Sequence, residues 1–399
     1  MPEVIAVIGK NYGDEGKGLA VQALSRETES LIIRHNGGAQ AGHTAEGAFG
    51  RFVFHQLGSG SFAGADTLLS DTFLVDLYQL TREKAAFEAL SGRPARVFAD
   101  RRAFISVPDD VLINMALETA RGDDRHGSCG MGIYEAQLRA GAGYGITSGE
   151  AAQVTAEQLY RRLSECRAAY SYVRLRQSGL EGRVPPEYDE LLRDDLLLRG
   201  AAEAMKRGLE CLVLIETEAG WLRRYPRIIF ENAQGLLLDA DYLPGQPHVT
   251  ASRTGLTQPV RFCARYGLSL RRALYVTRSY VTRHGAGPLP HACPPEALGA
   301  IGPDPTNVPN PWQGSLRYAR HPDSPDFAQP VLDDLWQAPA GTEAELLVTH
   351  LNETGYSVQF ASGPVKADAL PGFLRAHDVS CFSRFWISDD PFGFRPFGQ

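Results

Sequence analysis

Residues 7–18 read VIGKNYGDEGKG, and the fold turns on how this stretch is understood. An apolar run, Val4 to Ile8, leads into it, and residues 19–27, LAVQALSRE, follow with helical character. Strand, glycine-rich loop and helix in that order aim backbone N–H groups and a helix N-terminus at a phosphate. The loop is not a Walker A loop, which places four residues between its first glycine and Gly-Lys-Ser/Thr. Here six residues separate Gly9 from Gly16, and Gly18 stands where the Mg²⁺-binding hydroxyl would be. Two carboxylates, Asp14 and Glu15, occupy a loop that should receive an anion. Acids in that position make sense if one of them binds a metal or moves a proton. A second glycine-rich segment, RHNGGAQAGHT, follows at residues 34–44.

Working outward, further short apolar runs at 31–33, 228–230, 274–276 and 346–348 are bounded by polar or turn residues, as buried parallel strands are. Helical stretches are expected at 76–90 and 189–224. Proline and glycine cluster from Gly285 to Pro311, which reads as a long functional loop. The pattern predicts one α/β domain over residues 1–399: a P-loop-like, mostly parallel sheet, helices on both faces, and elaborated loops at the strands' C-terminal ends. Hydrophobic residues make up 43% and charged residues 22%, ordinary for a globular enzyme. A net charge of −7 argues against a nucleic-acid partner. No apolar run approaches a membrane span, and the six scattered cysteines contain no CxxC pair, so a cytoplasmic protein with reduced thiols is expected.

The two glycine-rich segments together resemble the adenylosuccinate synthetase family, which carries GDEGKGK after its first strand and GGxNAGHT shortly afterwards. The matching residues are GDEGKGL (13–19) and GGAQAGHT (37–44). HGSCGMGI (126–133), ENAQGLLLD (231–239), HVTASRTG (248–255) and TRHGAGPLP (282–290) continue the likeness in the same order. The family phosphorylates the 6-oxygen of a purine nucleotide, then displaces that phosphate with the amine of aspartate. The resemblance implies a Mg²⁺-dependent ligase and a homodimer.

By the same resemblance, Asp14 is the base that takes the N1 proton and, with the Gly42 carbonyl, a metal ligand. Lys17 supplies charge to the donor phosphates, which Gly13, Glu15, Gly16, Gly18, Gly42, His43 and Thr44 surround. His43 stabilises the transferring group, and Gln234 contacts the 6-oxygen. The acceptor nucleotide falls to Asp14, Gln40, Ser128, Cys129, Gln234 and Thr250, with Arg139 in the place of an arginine that the family extends across a dimer interface. His284 and the WQGSLRY segment (312–318), through Gln313, Gly314, Ser315 and Arg317, are expected to hold aspartate. His350 and Asn352 fall at the donor base.

Two departures from the family pattern bear on substrate choice. Ser315 replaces an arginine that reaches the ribose 2′-hydroxyl, which favours a deoxynucleotide. Asn352 replaces the aspartate that accepts two guanine hydrogen bonds; a carboxamide suits adenine instead. Together they point to the bacteriophage branch of the family, which joins dGMP to aspartate with ATP or dATP and so makes the precursor of 2-aminoadenine for modified DNA. Asp14 is retained, and a divergent synthetase using IMP and GTP stays open beside this reading. So does a regulatory NTPase without ligase activity, although such a protein needs no aspartate clamp.

Overall fold

The computed structural model describes residues 1–304, 306–307, 314–377 and 379–397. The strand Glu3–Gly9 (β1) lies near the middle of a ten-stranded sheet. From one edge to the other the order is Arg395–Pro396, Phe382–Ile387, Glu343–Thr349, Leu270–Arg278, β1, Arg227–Gly235, Ser30–Arg34, Asp66–Leu69, Val97–Asp100 and Val213–Ile215. Neighbours run parallel except at the first edge, where Arg395–Pro396 pairs antiparallel. The continuous apolar run of β1 follows from burial on both faces. Val4, Ala6 and Ile8 point into one core with Phe230, Tyr275, Phe327 and Leu346. Ile5 and Val7 alternate to the other face, against Val21 and Leu24 of the helix Lys17–Ser25 (α1) and against Ile229, Leu274 and Leu347. The mostly parallel sheet covered by helices is the architecture that the sequence predicts.

All five predicted apolar runs are strands of this sheet. The helix predicted at 76–90 is Leu77–Ser91, with the Asp76 carboxylate accepting from the Tyr78 and Gln79 amides as its N-cap. The stretch 189–224 is not one helix. Asp194 ends the helix Pro186–Arg193 and caps the next, Asp195–Leu209, by accepting from the Leu197 amide at 3.1 Å. Val213–Ile215, rich in β-branched residues, then becomes the far edge strand, and Ala219–Leu222 is a single turn. Between the antiparallel partners Val281–Arg283 and Arg317–Ala319, the described residues of the long loop hold one 3₁₀ turn, Pro295–Ala297.

A parallel sheet presents the C-terminal ends of its strands on one side, where ligands of open α/β folds bind. Gly9, Arg34, Gly235, Arg278 and Thr349 end five adjacent strands there. The loops that carry Asp14, Gln40, Gly42, His350 and Asn352 leave from these ends, while Ser128 and Cys129 lie between the helices Pro108–Arg121 and Ile133–Arg139.

Candidate active site

The loop after β1 is built around its own carboxylate. Glu15 is buried and accepts from the amides of Asn11 at 2.9 Å and Gly13 at 2.8 Å. Lys17 closes the same knot: its Nζ donates to Glu15 Oε2 at 3.1 Å and to the Gly13 carbonyl. Glu15 is therefore a staple within the loop and not a phosphate contact, which corrects the expectation; it also occupies the Gly13 amide. Lys17 lines a cavity beside the loop with its charge paired to Glu15. The absence of a hydroxyl at position 18 has a steric reason. A Cβ on Gly18 would lie 2.4 Å from the Thr44 carbonyl oxygen, so glycine lets the GHT segment lie directly on the start of α1.

His43 opens the hairpin His43–Gly47/Gly50–Phe54 and is buried between two charged groups. Its Nδ1 lies 2.7 Å from Glu231 Oε1, and Arg34 approaches both members of the pair. Ser59 fixes the carboxylate by donating both its amide, at 3.0 Å, and its hydroxyl. Arg34 Nη1 lies at the same 2.7 Å from Nδ1; in the tautomer that carries Nδ1–H toward Glu231, Nε2 is the nitrogen left for a substrate. Burial, reinforced by Arg34 and opposed by Glu231, brings the His43 pKa down to about 4. Burial alone would raise the Glu231 carboxyl, but the positive character of His43 and Arg34 and the His43 and Ser59 hydrogen bonds hold it at about 2. The result is a neutral imidazole backed by an ionised carboxylate. Asp14 is shifted the other way. Burial raises its pKa, His284 and Arg278 oppose this, and the charge of Glu15 adds to it. A carboxylate with raised proton affinity is suited to accept a proton near neutrality.

Two cavities, of about 290 Å³ and about 950 Å³, meet at this point. Gly13, Asp14, Gly42, His43, Thr306 and Asn307 line both. The smaller one also brings together Gly16, Gly18, Thr44, His350 and Asn352, residues more than 300 positions apart in the chain that were expected at the donor. Asn352 is exposed at its rim, and His350 sits in a left-handed conformation with Nδ1 2.8 Å from Thr349 Oγ1. The larger cavity collects Gln40, Ser128, Cys129, Gln234, Thr250 and His284. Gln234 adopts φ 66°, a costly region for a non-glycine residue, and such strain concentrates at functional sites.

Arg139 is not among these residues. It is buried, paired with Asp110 at 2.8 and 2.9 Å, and donates to the carbonyls of Ile105 and Tyr144. A guanidinium so committed is tied inside its own chain, which gives it a structural role in place of the expected reach across an interface. The aspartate-side residues are divided. Gly314 and Ser315 are exposed and line neither cavity, Gln313 lies outside the described residues, and Arg317 donates to the Gly285 carbonyl at 2.6 Å. Arg317 pairs in register with Arg283, a buried residue of the larger cavity that the sequence reading passed over. Burial lowers the pKa of both guanidinium groups, and Arg283 lowers that of Arg317 further. Neither has a carboxylate partner among the described residues; Arg283 donates to the carbonyls of Pro288 at 2.7 Å and His248 at 2.9 Å and lies over the Tyr12 ring, and Arg317 lines neither cavity. Arg278 was also missed. It joins the Asp14 carbonyl to Asp304 at 2.9 Å and to the Tyr280 hydroxyl at 3.1 Å, bracing the smaller cavity.

A family model described as adenylosuccinate synthetase matches residues 6–301. The adenylosuccinate synthetase of Methylococcus capsulatus is 32% identical over 312 residues, 76% of this chain and 67% of that protein. The chain belongs to the adenylosuccinate synthetase family. The synthetase of Alcanivorax borkumensis is 30% identical, covering 73% of this chain and 65% of its own length. The chain spans 63 to 67% of the length of these curated relatives and that of Aliivibrio fischeri. Two solved structures share the adenylosuccinate synthetase fold with it. Fully ligated adenylosuccinate synthetase from Plasmodium falciparum has a TM-score of 0.64 at 18% identity, over 88% of this chain and 77% of its own. Cyanophage S-2L succinoaminodeoxyadenylate synthetase, bound to dGMP and dATP, has a TM-score of 0.64 at 17% identity, over 100% and 96%. The family model ends before Ser315 and Asn352, so both departures in the substrate loops lie beyond the matched residues.

Proposed function

We propose that this chain joins L-aspartate to the 6-position of dGMP, with ATP or dATP as phosphoryl donor, yielding the 2-aminoadenine deoxynucleotide precursor. The observation that carries the reading is the shared wall: one donor-side and one acceptor-side cavity meet at Asp14 and His43. Asp14 takes the purine N1 proton as the 6-oxygen attacks the donor's terminal phosphorus and the diphosphate leaves. Gln234 donates to the 6-oxygen as it gains charge. His43 is neutral in the free site; with Glu231 holding Nδ1–H, its Nε2 takes up a proton from water beside the transferred phosphoryl group and gives it to an oxygen of that group as phosphate leaves. The aspartate amine then bonds to C6 and inorganic phosphate departs, while Arg283 and Arg317 hold the dicarboxylate.

Magnesium fits this site. Five carboxylates, Asp14, Glu46, Asp304, Glu353 and Asp390, line the smaller cavity against the cations Lys17, Arg51 and Arg278, so a polyphosphate would enter an acidic space. Among the described residues no three His, Cys, Asp or Glu side chains form a closed metal cage. That suits an ion held by Asp14 and the Gly42 carbonyl together with substrate phosphates. When bound, the ion neutralises phosphate charge as it develops.

The deoxynucleotide preference rests on Ser315, which is exposed and outside both cavities, and the adenine preference on the Asn352 carboxamide at the donor rim. The cyanophage neighbour, which holds dGMP and dATP, lends support at the level of fold. Asp14 favours a second reading, an IMP- and GTP-using synthetase, because that is the residue of the ordinary enzyme. A phosphate-release assay decides between them by crossing dGMP, GMP and IMP with ATP, dATP and GTP, with and without aspartate. Aspartate-dependent release with dGMP and ATP or dATP is expected. Turnover of IMP with GTP, and none of dGMP, would leave the ordinary synthetase standing.

A further inference from the structure

Charge accounting in the smaller cavity singles out one side chain. Of its three cations, Lys17 is spent on Glu15 and the Gly13 carbonyl, and Arg278 on Asp304, Tyr280 and the Asp14 carbonyl. Leu19, which closes the GDEGKGL stretch, lines the same cavity and brings no charge. Arg51 differs. It stands across the hairpin from Glu46, whose carboxylate is 3.6 Å away, too long for a tight pair. Its Nε is buried without a hydrogen-bond partner. Its Nη2 donates to Thr306 Oγ1.

That one bond also locates the guanidinium. Thr306 Oγ1 lies 2.8 Å from Thr44 Oγ1, immediately after His43, and Thr306 lines both cavities. Arg51 therefore reaches back to the end of the cavity where the transfer would occur, away from the His350–Asn352 rim. A planar fork with an unspent donor at that position matches the oxygens of a terminal phosphate.

We infer that Arg51 grips the terminal phosphate of the donor nucleoside triphosphate, and that it is the residue by which this cavity prefers a triphosphate to a diphosphate. The inference rests on the donor reading of the cavity given above. An arginine there also meets the charge that spreads over the equatorial oxygens during transfer.

The test is calorimetric binding, in the presence of Mg²⁺, of adenosine and guanosine 5′-O-(3-thiotriphosphate) and of ADP and GDP. The proteins are the full-length wild type, Arg51→Gln and Arg51→Lys. Arg51 is one-third exposed on a hairpin, and melting curves of the two variants check that the fold is kept. With whichever base the wild type binds, Arg51→Gln should lose at least about tenfold in triphosphate affinity and less than about threefold in diphosphate affinity. Arg51→Lys should fall between, because it keeps the charge and loses the fork. Equal losses for both nucleotides, or no loss for either, overturn the inference and leave the donor cavity intact. If the wild type binds none of the four nucleotides, the donor reading itself fails and Arg51 falls with it.

Discussion

Asp14 stands in the wall common to two cavities, so its carboxylate can face a purine N1 and a metal-bound phosphate at once. Asp14→Asn removes the proton acceptor and weakens the metal site with almost no change in shape. Ligation should drop on the order of 10³-fold or more with melting temperature nearly unchanged; near-normal turnover of the pure variant would assign the base elsewhere. His43 makes a prediction about pH. Its folded pKa is about 4 against an ordinary 6.5, so between those values the unfolded chain binds a proton that the native site refuses. Stability from this group is full above about 6.5 and is lost as pH falls through about 4. Denaturant titrations from pH 7 to pH 4 should therefore show a steeper loss for wild type than for His43→Asn. Parallel curves would mean that His43 keeps its ordinary pKa in the fold. Both residues could be read from the sequence because each sits inside a local motif. Glu231 could not, since it lies within the apolar strand Arg227–Gly235 and meets His43 across 188 positions of chain. Arg283 escaped for the same reason: its meaning depends on Arg317, which only strand pairing brings alongside.

At the scale of elements, the buried pair Arg139–Asp110 ties the helix Ile133–Arg139 to the helix Pro108–Arg121 beneath the acceptor cavity. Removing the arginine would strand a buried carboxylate. Arg139→Ala should cost about 3–5 kcal/mol in chemical denaturation, while the folded fraction keeps its aspartate and nucleotide KM values. Loss of activity without loss of stability would restore a substrate-contacting role. The strands of β-branched and aliphatic residues announced themselves because both faces are buried. Asp66–Leu69 and Val97–Asp100 did not, since strands of four residues carry too little pattern to stand out from loops. The run 189–224 misled because its composition is helical almost throughout. What divides it is a side-chain cap at Asp194 and a vacant sheet edge for Val213–Ile215, and the second is a tertiary opportunity.

For the whole molecule, the proposed reading assigns aspartate to the Arg283–Arg317 pair beside the larger cavity. Arg317→Ala should raise the aspartate KM strongly and leave acceptor binding nearly unchanged. Lost dGMP binding at constant aspartate KM in steady-state kinetics and calorimetry would contradict the paired-arginine site. On the far side, Asn352→Asp should turn donor preference toward GTP by about tenfold or more, because a carboxylate offers guanine two acceptors and repels adenine. Competition between GTP and ATP for one enzyme sample measures that ratio directly; an unchanged ratio would remove Asn352 from base selection.

The two cavities share six lining residues, Asp14 and His43 among them. A chemist could exploit that shared wall with a single compound, a purine nucleotide bridged through its 6-position to a nucleoside polyphosphate. Such a hybrid would gain both halves' affinity for one loss of tumbling freedom, with an effective local concentration in the millimolar range for a short tether. Proteins that bind only one of the two halves could not share that gain, which makes the shared wall a handle for selective inhibition.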